Sequence, residues 1–116
     1  MPLPSNRRGY IALAPDLRNH GSRQEGPYSF REALCASYRA YEVRGKGPTD
    51  AQSSYILDNV WDIQGILDYL QMRPDVDPNR IGIYGVGFGG TVALIAAATD
   101  ERVAVCCPVL GVVNFR

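Results

Sequence analysis

The sequence predicts an α/β fold with a parallel sheet. Short apolar runs alternate with helix-type patterns, the runs are apolar at consecutive positions rather than every second one, and a glycine-dense turn joins one run to a helix. Three strands are expected, in one domain spanning residues 1–116, a length that suits a single small domain.

The first expected strand is Tyr10-Ile11-Ala12-Leu13-Ala14-Pro15, halted at Pro15-Asp16. Its unbroken apolar character suits a parallel strand covered on both faces. Asp16 to Pro27 holds Asn19, Gly21, Ser22, Gly26 and Pro27 and reads as loop. Ser29-Phe30-Arg31-Glu32 has the capping-box pattern, opening a helix through about Tyr41. Gly45-Lys46-Gly47-Pro48 breaks the chain, and Thr49-Asp50-Ala51-Gln52 is a second capping box. The helix that follows carries Ile56, Val60, Ile63, Leu67 and Leu70 at alternating spacings of four and three, one apolar stripe. Asp58, Asp62 and Asp68 lie off that stripe and are expected to face solvent, while Trp61 and Tyr69 read as packing residues. Pro74 and Pro78 end the helix in a crossover turn. A strand at Ile81–Tyr84, a helix from about Gly89 to Ala98 and a third strand at Val103–Val109 complete the pattern.

Composition narrows the function. Of the residues, 46% are hydrophobic and 21% charged, with 12 Lys+Arg against 12 Asp+Glu. A net charge of zero argues against a nucleic-acid partner, which needs clustered positive charge. No apolar run spans a bilayer, and Met1 to Asn6 lacks a signal-peptide core, so a cytoplasmic chain without a membrane partner is expected. Cys35, Cys106 and Cys107 form no C-x-x-C pair and read as small buried apolar side chains, and one histidine builds no His-rich site. Neither a metal nor another cofactor is expected.

Gly85-Val86-Gly87-Phe88-Gly89-Gly90 admits two functional readings. As G-x-G-x-x-G it matches a dinucleotide fingerprint, whose helix-start amides hold a pyrophosphate. That reading needs an acid at the end of the next strand, where this chain has Cys107-Pro108-Val109-Leu110. As G-x-X-x-G it is a nucleophile elbow, with small residues at Gly85 and Gly89 so that strand and helix meet tightly. The central position, ordinarily Ser, is Gly87, which suits the strained backbone but carries no nucleophile.

Gly9-Tyr10-Ile11-Ala12-Leu13-Ala14-Pro15-Asp16-Leu17-Arg18-Asn19-His20-Gly21 resembles the GY-x-V-x-x-x-D-x-R-x-x-G strand and loop of α/β-hydrolases. Asp75 to Gly90 resembles their D-x-x-R-I-G-I-x-G-x-S-x-G-G elbow, with Gly87 in place of Ser. Tyr55 to Asp62 and the tail Cys107 to Arg116 are similar to a branch containing dienelactone hydrolases and acylaminoacyl peptidases. The resemblance implies a partial α/β-hydrolase fold and a small-molecule ester or peptide as ancestral substrate. It places Gly87 at the nucleophile position and makes the Phe88 backbone amide an oxyanion donor.

Several family parts are missing. The 29 residues after Gly87 contain no histidine, whereas the family order is Ser, then acid, then His. His20 falls in an earlier loop, where a loop-ordering hydrogen bond or exposure is weighed above catalysis. Ser22, Ser29, Ser37, Ser53 and Ser54 sit in no elbow-like turn, and Asp16 is the remaining polar pocket candidate, set against a loop-turn role. The H-G-containing oxyanion turn is absent, as is the strand that the family sets between the Gly-Tyr strand and the elbow strand. Adjacent strands lie ~4.8 Å apart, so that loss leaves unpaired backbone groups at ~1–3 kcal/mol each if buried. The expectation is a fragment or inactive member of a serine-hydrolase family, able to self-associate through open sheet edges. A non-catalytic binding or scaffold protein and a dinucleotide-binding module using Gly85–Gly90 stay as alternatives.

Overall fold

The computed structural model describes residues 8–27, 29–44 and 54–111. Helix α1 (Ser29–Arg44) and helix α2 (Tyr55–Met72) precede strand β1 (Ile81–Val86), helix α3 (Phe88–Thr99) and strand β2 (Val103–Val109). The fold is a partial α/β fold in which β1 and β2 pair in parallel, in register from Gly82 against Val105 to Val86 against Val109. Parallel neighbours need a crossover, and α3 supplies it.

Helix α3 is apolar almost all round because it is packed on more than one side, with Gly90, Thr91, Val92, Ala93 and Ala96 buried. It lies on both strands and against α2. Val60, Val92 and Ala96 form the buried centre, ringed by Leu17, Ile63, Ile83, Phe88 and Ile95. Leu67 is also fully enclosed, and each such side chain contributes about 1.5–3 kcal/mol by leaving water. Of the predicted stripe, Val60 and Leu67 are buried and Ile56, Ile63 and Leu70 are half-buried. Helix α2 stops at Met72, ahead of Pro74, and Arg73 N–H closes its last turn on Leu70 O at 3.2 Å. The Arg102 guanidinium bridges Asp68 and Asp100 at 2.5 and 2.6 Å, tying the end of α2 to the entry of β2.

Several expectations are corrected. Among the described residues the sheet has two strands, not three. Tyr10–Pro15 joins no ladder among the described residues, and Tyr10, Ile11 and Leu13 are exposed. A segment becomes a strand only beside a neighbour that completes its hydrogen bonds, and no strand among the described residues pairs with this one. The Ser29 hydroxyl makes no capping bond. The helix begins at Ser29 itself, so this hydroxyl lies inside the first turn, where it is buried without a partner. The second capping box, Thr49 to Gln52, lies outside the described residues, and α2 starts behind Ser54, whose side chain makes no cap bond.

Trp61 and Tyr69 do not pack in the core. Both are about half exposed, and Tyr69 instead lies under the Arg73 guanidinium, 5.8 Å from its ring centre. Cys35 and Cys107 are exposed and Cys106 half-buried, so the cysteines are not core residues. For Cys107 the cause is the sheet: among the described residues helices cover one face, and Cys107 shares the other with Tyr84 and Val105. No described helix is long and apolar enough to cross a membrane.

Candidate active site

The turn from β1 into α3 is built on glycine. Gly87 has φ +58° and ψ −122°, a backbone conformation that side chains other than glycine's rarely take. It is held from both sides: its N–H donates to Val109 O at 2.8 Å, and its carbonyl accepts the Thr91 N–H at 3.1 Å. A Cβ on Gly85 would collide with the Gly89 carbonyl. One on Gly90 would stand 2.8 Å from Val109 O and 3.2 Å from Gly111 Cα. Strand and helix therefore meet at backbone contact. Gly89 differs from expectation, since a Cβ there meets nothing within 4 Å, and the crowding falls on Gly85 and Gly90 instead. At Gly87 the space is also open, so the summit of the turn has room for a side chain. Phe88, the first residue of α3, presents a backbone N–H with no acceptor inside the helix, by virtue of its position.

Four rings from four segments gather beside this turn. The Phe88 ring stacks on Tyr55 at 5.5 Å, meets Phe30 edge-on at 5.2 Å and lies parallel to His20 at 6.3 Å. His20 also contacts Phe30 at 4.6 Å. A polar frame fixes the histidine. Its Nδ1 lies 3.0 Å from Arg18 O, and because a carbonyl only accepts, Nδ1 carries the proton. Tyr55 Oη–H donates to the same carbonyl. Asn59, fully buried, accepts the Arg18 N–H at 2.8 Å and donates to Tyr55 O at 2.7 Å. Burial pushes the Tyr55 phenol above its ordinary value.

Asp58 and Asp62 were expected to face solvent, and the structure turns both inward. Arg18 pairs with Asp58 at 3.1 Å and Asp62 at 2.9 Å, and Arg23 reaches Asp62 at 2.8 Å. The hydrogen bond from Arg18 holds the Asp62 carboxyl below the usual range. Helical spacing alone showed the two aspartates aligned, but only the incoming loop brings their cations. Asp16 takes its loop-turn role, accepting from Ser22 N–H and Ser22 Oγ–H at 2.9 Å each, which lowers its pKa. Sequence reasoning missed Tyr55 and Asn59. Their one signal was a polar residue four positions after an aromatic on the inward side of an amphipathic helix. A shallow groove of about 390 Å³ on α1, lined by Arg31, Glu32, Cys35, Ala36 and Arg39, is formed by none of the residues of the turn. No group of three metal-ligating side chains occurs among the described residues.

Residues 35–112 match the family model described as "Glucuronyl esterase, fungi". The chain belongs to this family, within the α/β-hydrolases. It is 42% identical over 57 residues to YtaP of Bacillus subtilis (strain 168), named a hydrolase, covering 49% of this chain and 19% of that protein. It is 42% identical over 65 residues to the polyketide transferase claH of Penicillium crustosum, covering 53% and 21%. It is 31% identical over 90 residues to the quorum-quenching protein AidA of Acinetobacter baumannii, covering 72% and 30%. The chain thus spans less than a third of the length of each of these relatives. No solved structure gives a significant match.

Proposed function

We propose that β1, Gly87 and α3 form a nucleophile elbow whose nucleophile position is empty, in a serine-hydrolase lineage acting on small-molecule esters or peptides. The observation that carries this reading is the positive φ of Gly87 at a strand-to-helix turn, with open space above it and the Phe88 N–H beside it. In such an elbow a serine hydroxyl at position 87 attacks an acyl carbon, and the oxygen that gains charge accepts a hydrogen bond from the Phe88 N–H. Gly87 supplies no attacking atom, so this chain by itself turns over no ester. The name of one relative, a hydrolase, fits that chemistry. The free cysteines fit a reducing compartment such as the cytoplasm.

Assay of the 116-residue chain with activated aryl esters tests the proposal. No turnover above buffer is expected. Turnover that survives purification and persists after serine-directed inhibitors would place the machinery elsewhere and overturn it. The end of β2, Cys107-Pro108-Val109-Leu110, offers no acid to hold a ribose, which favours the elbow over the dinucleotide reading. Saturable binding of a nicotinamide or flavin dinucleotide would reverse that preference.

A further inference from the structure

Among the described residues two that are not glycine carry a positive φ, Asn19 at +60° and Leu110 at +55°. Asparagine enters this region readily because its amide can bond to nearby backbone, and the Asn19 amide donates to Ser29 O. Leucine has no such compensation, and its Cβ crowds the following carbonyl. A conformation of this kind persists only where the surroundings impose it. Here the chain on either side of Leu110 is fastened to the elbow. Val109 O accepts the Gly87 N–H at 2.8 Å. Gly111 lies so close to the first turn of α3 that a Cβ on it would stand 2.8 Å from the Gly90 carbonyl carbon and 3.0 Å from Thr91 N. Leu110 is the bend between these anchors, at the carboxyl end of β2, the end where open α/β sheets bind their ligands. Its side chain joins no core among the described residues and is 81% exposed. It also leaves the summit of the turn clear, since a Cβ on Gly87 would meet nothing within 4 Å.

We infer that Leu110 is the apolar wall of the acyl site at Gly87 and selects an aliphatic acyl chain. The inference rests on reading the turn as an elbow. An acyl oxygen that accepts from the Phe88 N–H sets its carbonyl carbon over Gly87, so the chain on that carbon crosses the carboxyl edge of the sheet. The Phe88 ring is the other apolar group of the turn, but it is engaged with Tyr55, Phe30 and His20. Leu110, one residue beyond the carbonyl that holds Gly87, is the apolar side chain left to meet the substrate. An isobutyl group offers no hydrogen bond. It recognises by burial, and therefore favours methylenes over hydroxyls or charge.

The probes are acetate, butyrate and hexanoate, whose carboxylate oxygens can accept from the Phe88 N–H. Each is titrated into the 116-residue chain while the Phe88 and Leu110 amides are followed by NMR. Affinity is expected to rise with chain length, by up to about fourfold for each methylene buried. Leu110→Gly frees the backbone and removes the wall, whereas Leu110→Asn keeps the size, tolerates the positive φ and is polar. Both variants are expected to bind acetate as the unsubstituted chain does and hexanoate no more tightly than acetate. Both should also unfold at a higher urea concentration. A leucine needed only for packing gives the reverse, a lower urea midpoint in both variants, and that result overturns the inference. Length dependence that survives both substitutions overturns it too. Shifts at Phe88 without length dependence in the unsubstituted chain remove the inference and leave the elbow standing, while no shift at Phe88 with any carboxylate removes both. Turnover of an activated ester would sink the reading of an empty nucleophile position and leave these affinities unchanged.

Discussion

The β1–α3–β2 unit and the loop Asp16–Arg23 meet at the Phe88 ring, yet different forces hold them there. The unit is held by a parallel ladder and by Val92, Ala93 and Ala96 leaving water. The loop is held largely by polar groups borrowed from α2: Asn59 on the Arg18 N–H, Tyr55 on the Arg18 carbonyl, and Asp58 and Asp62 on the Arg18 side chain. Apolar burial tolerates small shifts, whereas a buried hydrogen bond is lost once its partner moves. One contact region therefore joins a cohesive half to a half that depends on a few atoms.

The contrast is broken most strongly at Leu67. Leu67→Ala leaves a cavity under α2 and is expected to cost about 2–5 kcal/mol, read as an early, single transition in urea that takes β1 with it. Asn59→Ala removes the acceptor from the Arg18 N–H at about 1–3 kcal/mol. Its mark is regional: hydrogen exchange speeds up at Arg18 and His20 more than in β1. Equal acceleration in both regions would show that loop and sheet form a single cooperative unit. The smallest effect is at Asp62, whose half-exposed pairs are worth about 1 kcal/mol or less. Its folded pKa lies below the unpaired value of 3.8, so the stabilisation is present above that value and is lost as pH falls through the lower one. Asp62→Asn should lower stability at neutral pH and flatten this acid limb; an unchanged acid limb would mean that the pair contributes nothing to folding.

The legible parts of the chain were those written in neighbouring residues. The 3.6-residue stripe of α2, the proline stop after Met72 and the run Ile81–Tyr84, which the structure extends to Val86, need only local sequence to form. The glycine turn was legible because no other residue takes the Gly87 backbone cheaply and because a Cβ at Gly85 strikes the helix. Tyr10–Pro15 was misread as a strand, since its apolar run states a tendency that only a neighbouring strand turns into structure. The inward turn of Asp58 and Asp62 was invisible for the same reason: their cations lie some forty residues away in sequence.

Local order was therefore determined by the sequence itself: which segments coil, which extend, and where glycine alone fits. Tertiary structure decided what those segments meet, setting His20 against Phe88 and burying Asn59 beneath a loop. Helix periodicity and turn sterics act over a few bonds and can be read residue by residue. Hydrogen-bond satisfaction and desolvation depend on which surfaces arrive together, and no single stretch of chain contains that information.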